Sequence, residues 1–483
     1  MGIGRDLKGI AQKNPEKAAI LFEAQVITYA DFYRTICQIQ LNLLSLSRKN
    51  NPQKVAILIG NEPAFLELYF AVLTLGWIAI PFDPKWRKRD IVKIMKTADP
   101  DLIIISEHFP ESISNMFDKS YGIETLKEPS DNMIVRDWNH NDNAAFYLGF
   151  TSGSTGTPKG FIRNHKSWLT SFSVAEQIFQ YNQEDIILAP GPLCHSLSLF
   201  AATHALHIGA TLQLTETFKP MVLNDRKATV VYAVPTMIHG FIEQTVNPVQ
   251  EKIVFLLSGA KLQPELRRRL QHVFPKSVVY EYFGASELSF ISYASNDVTD
   301  WYPDSVGKPF PGVKVTIRDQ EMKRVTNGEI GEVFIESDFL FTSYLHNSEE
   351  TEKVLTDYGA TVGDLGFIND AGILTIVGRK KHMIISGGLN VYPEEVEKVM
   401  EEIAAVQEAV VIGIDDDYWG QKVIALVKWK KQAELEKLQA HCHAHLPNYK
   451  CPKEFYEVDD FPYTSTGKIA RNDVALQIAR YTS

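Results

Sequence analysis

The stretch Thr151–Gly160, TSGSTGTPKG, decides how this chain reads. Gly153, Gly156 and Gly160 let the backbone turn tightly and approach a ligand closely. Ser152, Ser154, Thr155 and Thr157 supply hydroxyls, and Lys159 supplies an ammonium. Backbone N–H groups, hydroxyls and one cation together suit a polyphosphate. The stretch follows Ala144–Phe150 (AAFYLGF), an apolar run of strand length, and precedes a segment from His165 that reads as helix. It is not a Walker A loop. Thr157-Pro158 separates Gly156 from Lys159, and Pro158 removes a backbone donor.

This loop resembles the phosphate loop of the adenylate-forming superfamily, which contains acyl-CoA synthetases, adenylation domains and luciferases. Four further motifs follow in the superfamily's order. Tyr282–Glu287 (YFGASE) is similar to its Y-G-x-[ST]-E, with Phe283 in the place of Tyr. The resemblance implies that Phe283 stacks on adenine beside Tyr282, that Gly284 permits close approach, and that Ser286 bonds phosphate. Glu281 takes the position of a contact to the adenine amino group, with Gly259 and Ala260 also at the nucleotide. Glu287, with Thr151, is implied as a magnesium ligand, since that hard cation wants oxygen.

Gly363-Asp364 resembles the T/S-G-D motif, with Val362 replacing the hydroxyl residue. Asp364 is implied to accept from the ribose hydroxyls. Gly378–Asn390 (GRKKHMIISGGLN) is similar to G-R-x-[DK]-x-x-I-x-x-G-G. It implies Arg379 at the ribose or phosphate, Lys381 as hinge, and Ser386, Gly387 and Gly388 along a channel for a slim thiol arm. His382 departs from the acidic residue usual there. Pro462–Arg471 (PYTSTGKIAR) matches P-x-T-x-x-G-K-x-x-R throughout. Its Lys468 is implied as the catalytic lysine, bridging substrate carboxylate and α-phosphate.

Pro190–Phe200 (PGPLCHSLSLF) resembles the motif lining the carboxylate pocket. His195 is implied to gate that pocket and to act in catalysis. Ser196, Val234, Ala260, Ala285 and Leu288 complete the expected acyl walls. Amino-acid-activating relatives place an Asp in this stretch; none stands here, which favours a plain carboxylic acid.

Bulk properties agree with a soluble enzyme. The chain has 483 residues, 45% hydrophobic and 22% charged, with a net charge of −10. That length implies at least two domains, and the acidity argues against a nucleic-acid binder. Four cysteines, none in C-x-x-C, are too few for a disulfide framework and suit a reducing cytoplasm. The N-terminal segment has no apolar signal-peptide core. Leu68–Phe82 is too short to span a bilayer and reads as a buried helix leading into a buried strand.

The fold class expected is α/β. Short apolar strands (Val55–Ile59, Ile78–Phe82, Leu102–Ile105, Ile186–Ala189, Thr229–Val234, Ile253–Leu257, Val278–Phe283) alternate with helices such as Pro63–Leu75 and Arg89–Ala98. This alternation predicts parallel sheets covered by helices. Val313–Arg318, Gly331–Glu336, Thr361–Val362 and Ile373–Val377 predict a β subdomain. Strands Val406–Ile414 and Val423–Trp429 with helices Pro393–Glu402 and Ala433–His445 predict an α+β tail. The boundary is set at Lys380–Lys381, giving an N-terminal domain 1–380 with the ATP and carboxylate sites and a mobile C-terminal domain 381–483. His441, Cys442, His443 and His445 read as an exposed helix face, and Arg48–Lys54 and Arg267–Arg269 as solvated charge.

The resemblance implies ATP, Mg2+ and CoA as the small molecules used. An acid is adenylated and then passed to the CoA thiol, the acid expected being a fatty acid. A ligase that loads a carrier protein's phosphopantetheine is the alternative. A luciferase-like oxygenase and a non-catalytic adenylate binder are the alternatives of another class.

Overall fold

The computed structural model describes residues 2–47, 53–106, 109, 117, 120–129, 141–151, 159–220, 223, 228–296, 302, 305–430, 434–463, 469–476 and 478. Ser152, Gly153, Ser154, Thr155, Gly156 and Lys468, and the side chain of Thr151, lie outside the described residues. The chain divides into two compact units. One runs to Lys314 and includes Ile335–Leu355; the other comprises Val315–Phe334 and Thr356 onward.

The first unit carries a nine-stranded sheet ordered Lys308–Pro309, Ser289–Ser295, Val278–Ala285, Val254–Leu257, Val230–Ala233, Ile186–Ala189, Thr211–Leu214, Ala18–Phe22 and Gln25–Thr28. The six strands from Val278–Ala285 to Ala18–Phe22 are mutually parallel. Their near-unbroken apolar runs follow from burial on both faces; Val230–Ala233 and Thr211–Leu214 are buried at every position.

A seven-stranded sheet in the same unit runs Ser343–Tyr344, Lys159–Asn164, Ala145–Thr151, Ile78–Pro81, Lys54–Leu58, Leu102–Ile105 and Ser120–Gly122. The helix Pro63–Thr74 is buried all round, as its uniformly apolar sequence requires. Its one charge, Glu67, ion-pairs with Lys127 at 2.9 Å. The expected buried helix and strand between Leu68 and Phe82 are both present.

The loop of the opening motif joins two antiparallel strands, Ala145–Thr151 and Lys159–Asn164, with Thr151 opposite Lys159. The return strand KGFIRN is one that the sequence did not signal, because Lys, Gly, Arg and Asn interrupt its apolar pattern. The expected helix follows as His165–Phe179.

The second unit holds one sheet through Gly359–Ala360, Gly331–Glu336, Asp364–Ile368 and Leu374–Arg379, and another through Leu389–Val391, Ile384–Ser386, Gly420–Trp429 and Val406–Asp416. The strand expected at Thr361–Val362 is instead a turn. The Thr361 hydroxyl accepts the Gly363 N–H at 3.1 Å and donates to Glu332 at 3.0 Å, which turns the chain between two strands.

Strand alternation gives the second of these sheets two apolar faces. Val396, Met400, Val411, Leu438 and Cys442 cluster on one, and Val410, Ile424, Leu426 and Phe461 on the other. Cys442 is therefore core rather than exposed helix face, while His441 meets Glu402 at 3.2 Å at the surface. Arg379 leads into a single 3-10 turn, Lys380–His382, whose Lys381 is exposed. Residues on both sides of this turn belong to the second unit.

Candidate active site

The parallel strands of the nine-stranded sheet end together along one edge, where open α/β sheets place their ligands. Ile186–Ala189 leads to His195, Val230–Ala233 to Val234, Val254–Leu257 to Gly259 and Ala260, and Val278–Ala285 carries Glu281 through Ala285. The structure thus brings most of the expected nucleotide and acyl residues of the first unit to one edge of this sheet. Gly259 and Ala260 are exposed, Val234, Phe283, Ala285 and Ser286 half-buried, and Leu288 is buried. Ser196 Oγ lies 3.4 Å from the Tyr147 hydroxyl.

Two residues of the second motif are fixed by their surroundings. A Cβ on Gly284 would stand 2.1 Å from the Ser289 carbonyl oxygen, so only glycine fits this bulge. Tyr282 packs edge-on against Phe290, and burial raises its phenol well above the ordinary range, against the Ser258 hydroxyl bonded to it. Glu281 ion-pairs with Arg267 and accepts the Leu262 N–H at 3.0 Å. Arg267 is therefore not solvated as the charge cluster suggested. It is buried, and desolvation brings its guanidinium down to about 10. Arg268 does face solvent and pairs with Glu265.

Beside this edge, the far side of the hairpin assembles around Glu287. Tyr344, opposite Phe161 in the adjoining strand, donates its hydroxyl to Glu287 Oε1 at 2.8 Å. The Phe341 N–H donates to the Glu287 carbonyl at 2.8 Å. Arg163 is buried and donates to the carbonyls of Phe339 and Ser286. Desolvation lowers its guanidinium to about 10, while the charge of Glu287 opposes the shift. Lys159 ion-pairs with Glu350 and sits 5.6 Å from the centre of the Tyr344 ring. Hydrogen bonds from Lys159 and Lys353 draw Glu350 down to about 2.

Glu287 Oε2 accepts no hydrogen bond among the described residues, and the carboxylate acts electrostatically on the buried Arg163. A half-buried carboxylate oxygen so presented fits a hard divalent cation.

His195 caps the helix Ser196–Ile208, and its Nε2 lies 3.5 Å from Asp83 Oδ2. Burial lowers the imidazole below its ordinary value, helped by Lys85 and opposed by Asp83. The same burial and the Asp83 charge push the Cys194 thiol well up. A cavity of about 200 Å³ adjoins these groups, lined by Asn61, Asp83, Lys85, Cys194, Glu216 and Met237 among others.

In the second unit, Asp364 and Arg379 stand opposite each other across two strands, and Arg379 Nε meets Asp364 Oδ1 at 2.6 Å. His382 Nδ1 lies 2.9 Å from Glu394, the acidic partner of a position where the family motif itself is acidic. Ser386, Gly387 and Gly388 form a hairpin tip. Both glycines have positive φ, 58° and 79°, as a two-residue primed turn demands.

Sequence reasoning missed Asp83, Arg163, Tyr344 and Glu350. Asp83 could have been found, because it directly follows a predicted strand at the end where ligands bind. The other three meet the site only through pairings across the fold.

A family model described as AMP-binding enzyme matches residues 7–345, and one described as AMP-binding enzyme C-terminal domain matches residues 395–468. The chain is 34% identical to an uncharacterized acyl–CoA ligase, YhfT, of Bacillus subtilis, over 98% of each chain. It is 27% identical to a long-chain-fatty-acid–CoA ligase of Bacillus subtilis, over 95% of this chain and 92% of that one. It superposes on the o-succinylbenzoate CoA synthetase MenE of Bacillus subtilis, in complex with its acyl-adenylate intermediate, with a TM-score of 0.89, 25% identity and 97% of each chain covered. The chain belongs to the AMP-binding enzyme family, the adenylate-forming superfamily. Within it, the chain is of the acyl-CoA synthetase type, an AMP-forming acid–CoA ligase. No helix among the described residues is long and apolar enough to cross a membrane.

Proposed function

We propose that the chain activates a fatty acid with ATP and passes the acyl group to CoA, releasing pyrophosphate and then AMP. In the first step a carboxylate oxygen bonds to the α-phosphorus and the bond to pyrophosphate breaks. In the second the CoA thiol, giving up its proton, bonds to the acyl carbon and the bond to AMP breaks. The observation that carries the reading is the grouping of Glu287, Tyr344 and Lys159 beside the carboxyl edge of the sheet.

Glu287 and Thr151 would hold a magnesium ion, which supplies charge neutralisation on the phosphates. Lys159 and the hydroxyls of Ser152, Ser154 and Thr155 bind the phosphates, Phe283 covers the adenine, and Asp364 with Arg379 takes the ribose. Lys468 bridges carboxylate and α-phosphate in the first step. The domain 381–483 then turns about Lys381, and Ser386–Gly388 line the thiol's path. Using one site for two reactions is what requires such a turn. His195 lines the carboxylate end of the pocket, and the absence of an Asp from Pro190–Phe200 supports an acid without an α-amino group. Four free cysteines support a reducing cytoplasm as the place of work.

The likeness to the B. subtilis long-chain-fatty-acid–CoA ligase supports a fatty acid. The likeness to MenE supports an aryl acid as the second reading. The test is AMP release from ATP over fatty acids of graded length and several aryl acids, with and without CoA. CoA-dependent AMP release with fatty acids alone supports the proposal; response to aryl acids alone replaces it with the second reading. Pyrophosphate exchange that CoA does not carry forward to AMP release points to a carrier-protein thiol instead.

A further inference from the structure

We propose that Asp83, Cys194 and His195 form a zinc site beside the acid pocket, and that zinc held there inhibits the enzyme. Asp83 follows the strand Ile78–Pro81, while Cys194 and His195 stand at the start of the helix Ser196–Ile208. One donor atom from each lies within 4.8 Å of the other two. In a tetrahedral zinc centre, with bonds of about 2.0–2.3 Å, neighbouring donors stand about 3.3–3.8 Å apart. His195 Nε2 and Asp83 Oδ2, at 3.5 Å, already have that spacing, and the thiol needs only a small adjustment to join them.

Three features favour a cation. The Asp83 side chain is 3% exposed, so its charge gains little from water. Its other oxygen, Oδ1, accepts the Lys85 N–H at 2.8 Å, which aims Oδ2 at His195 in the manner of an outer-shell support. A thiolate and a carboxylate with a neutral imidazole sum to the charge that Zn2+ cancels. Lys85 and Glu216, both exposed, are the other charged groups lining the adjoining cavity, and they offset each other. That cavity leaves room for a water as fourth ligand.

Sulfur, nitrogen and oxygen together select zinc and not magnesium, which takes oxygen ligands. The Mg2+ supplied with ATP therefore leaves the site free. Zinc bound there would fix His195 against Asp83, so that it could no longer move as the gate of the acid pocket; this inhibition rests on the ligase reading above, whereas the binding does not.

The test uses the full chain with Co2+ as spectroscopic probe and Zn2+ as inhibitor, in excess Mg2+. Wild type should bind one Co2+ with a thiolate-to-cobalt charge-transfer band that Zn2+ displaces, and Zn2+ should inhibit AMP release until chelated. Cys194→Ser should lose the band and, measured against its own zinc-free rate, need about 100-fold more Zn2+ for the same fractional inhibition, since even an outer-shell loss costs about 10–100-fold. Cys194→Ala must behave alike, with circular dichroism showing both folded. No charge-transfer band in wild type, or equal inhibition of wild type and Cys194→Ser, overturns the proposal. A cobalt band in a chain that turns over no acid upholds the site and overturns the ligase reading.

Discussion

The Tyr344 hydroxyl donates to Glu287 Oε1 at 2.8 Å, tying the second motif to the strand that flanks the phosphate hairpin. One carboxylate oxygen is thereby occupied, and the other is the one the proposed function gives to magnesium. Tyr344→Phe should keep the fold and lower acid-dependent pyrophosphate exchange by about 10-fold, the worth of one hydrogen bond to a charged group. Glu287→Gln should cost more, roughly 100-fold, with more Mg2+ needed for half-maximal rate. Equal, small losses in the two variants would detach Tyr344 and Glu287 from phosphate chemistry.

Lys159 is held by Glu350, whose carboxylate is drawn to about 2 by Lys159 and Lys353. On the proposed function, ATP phosphates compete with Glu350 for that ammonium. Lys159→Met should raise KM for ATP roughly 10-fold. Glu350→Gln should move KM the other way by about 2- to 5-fold, the range of a partly exposed ion pair. Steady-state titrations of ATP at saturating acid and CoA decide it, and a rise in both variants contradicts the competition.

Lys468→Ala should lower adenylation by about 100-fold or more while leaving thioester formation from supplied acyl-adenylate near the wild-type rate. Single-turnover assays of each half-reaction separate the two. Equal loss in both would end the division of labour between Lys468 and the Ser386–Gly388 segment.

Folding stability should fall with acid before most carboxylates titrate. Burial, with the neighbouring charge of His204, lowers His207 to about 4, opposed by Asp6 and Glu176. The Gly4 N–H donates to its Nδ1 at 3.3 Å. Unfolded, the imidazole titrates near 6.5, so between about 6.5 and 4 the unfolded chain binds more protons and stability rises with pH. The contribution is complete above about 6.5 and is lost as pH falls toward 4, amounting to about 1–2 kcal/mol between pH 7 and pH 5. Denaturant midpoints at the two pH values should differ by less in His207→Gln than in wild type. An unchanged difference assigns the acid sensitivity elsewhere, His204 being the next candidate.

Gly284→Ala places a methyl 2.1 Å from the Ser289 carbonyl oxygen. Forced repacking of this kind costs roughly 1–3 kcal/mol. A lowered denaturation midpoint with weakened ATP binding is expected, because the bulge that carries Phe283 must shift.

What the sequence made legible follows from burial. Strands covered on both faces, such as Val230–Ala233 and Leu102–Ile105, are continuous apolar runs, and their ends were found within a residue or two. The five motifs were legible because they are local strings. Interactions that close through the fold were not. Arg163 and Arg267 resemble solvent charges in sequence, yet both are buried, Arg163 against a carbonyl 176 residues away and Arg267 against Glu281. Asp83 became part of the site only when its strand end met the turn before His195.

Mass spectrometry of ATP, acid and enzyme, before and after CoA is added, separates the two half-reactions. Enzyme-bound acyl-adenylate and pyrophosphate should form without CoA, then acyl-CoA and AMP in equal amounts once CoA is present. Release of ADP with an acyl phosphate, or AMP without any acyl-CoA, would rule out adenylation followed by thioester formation.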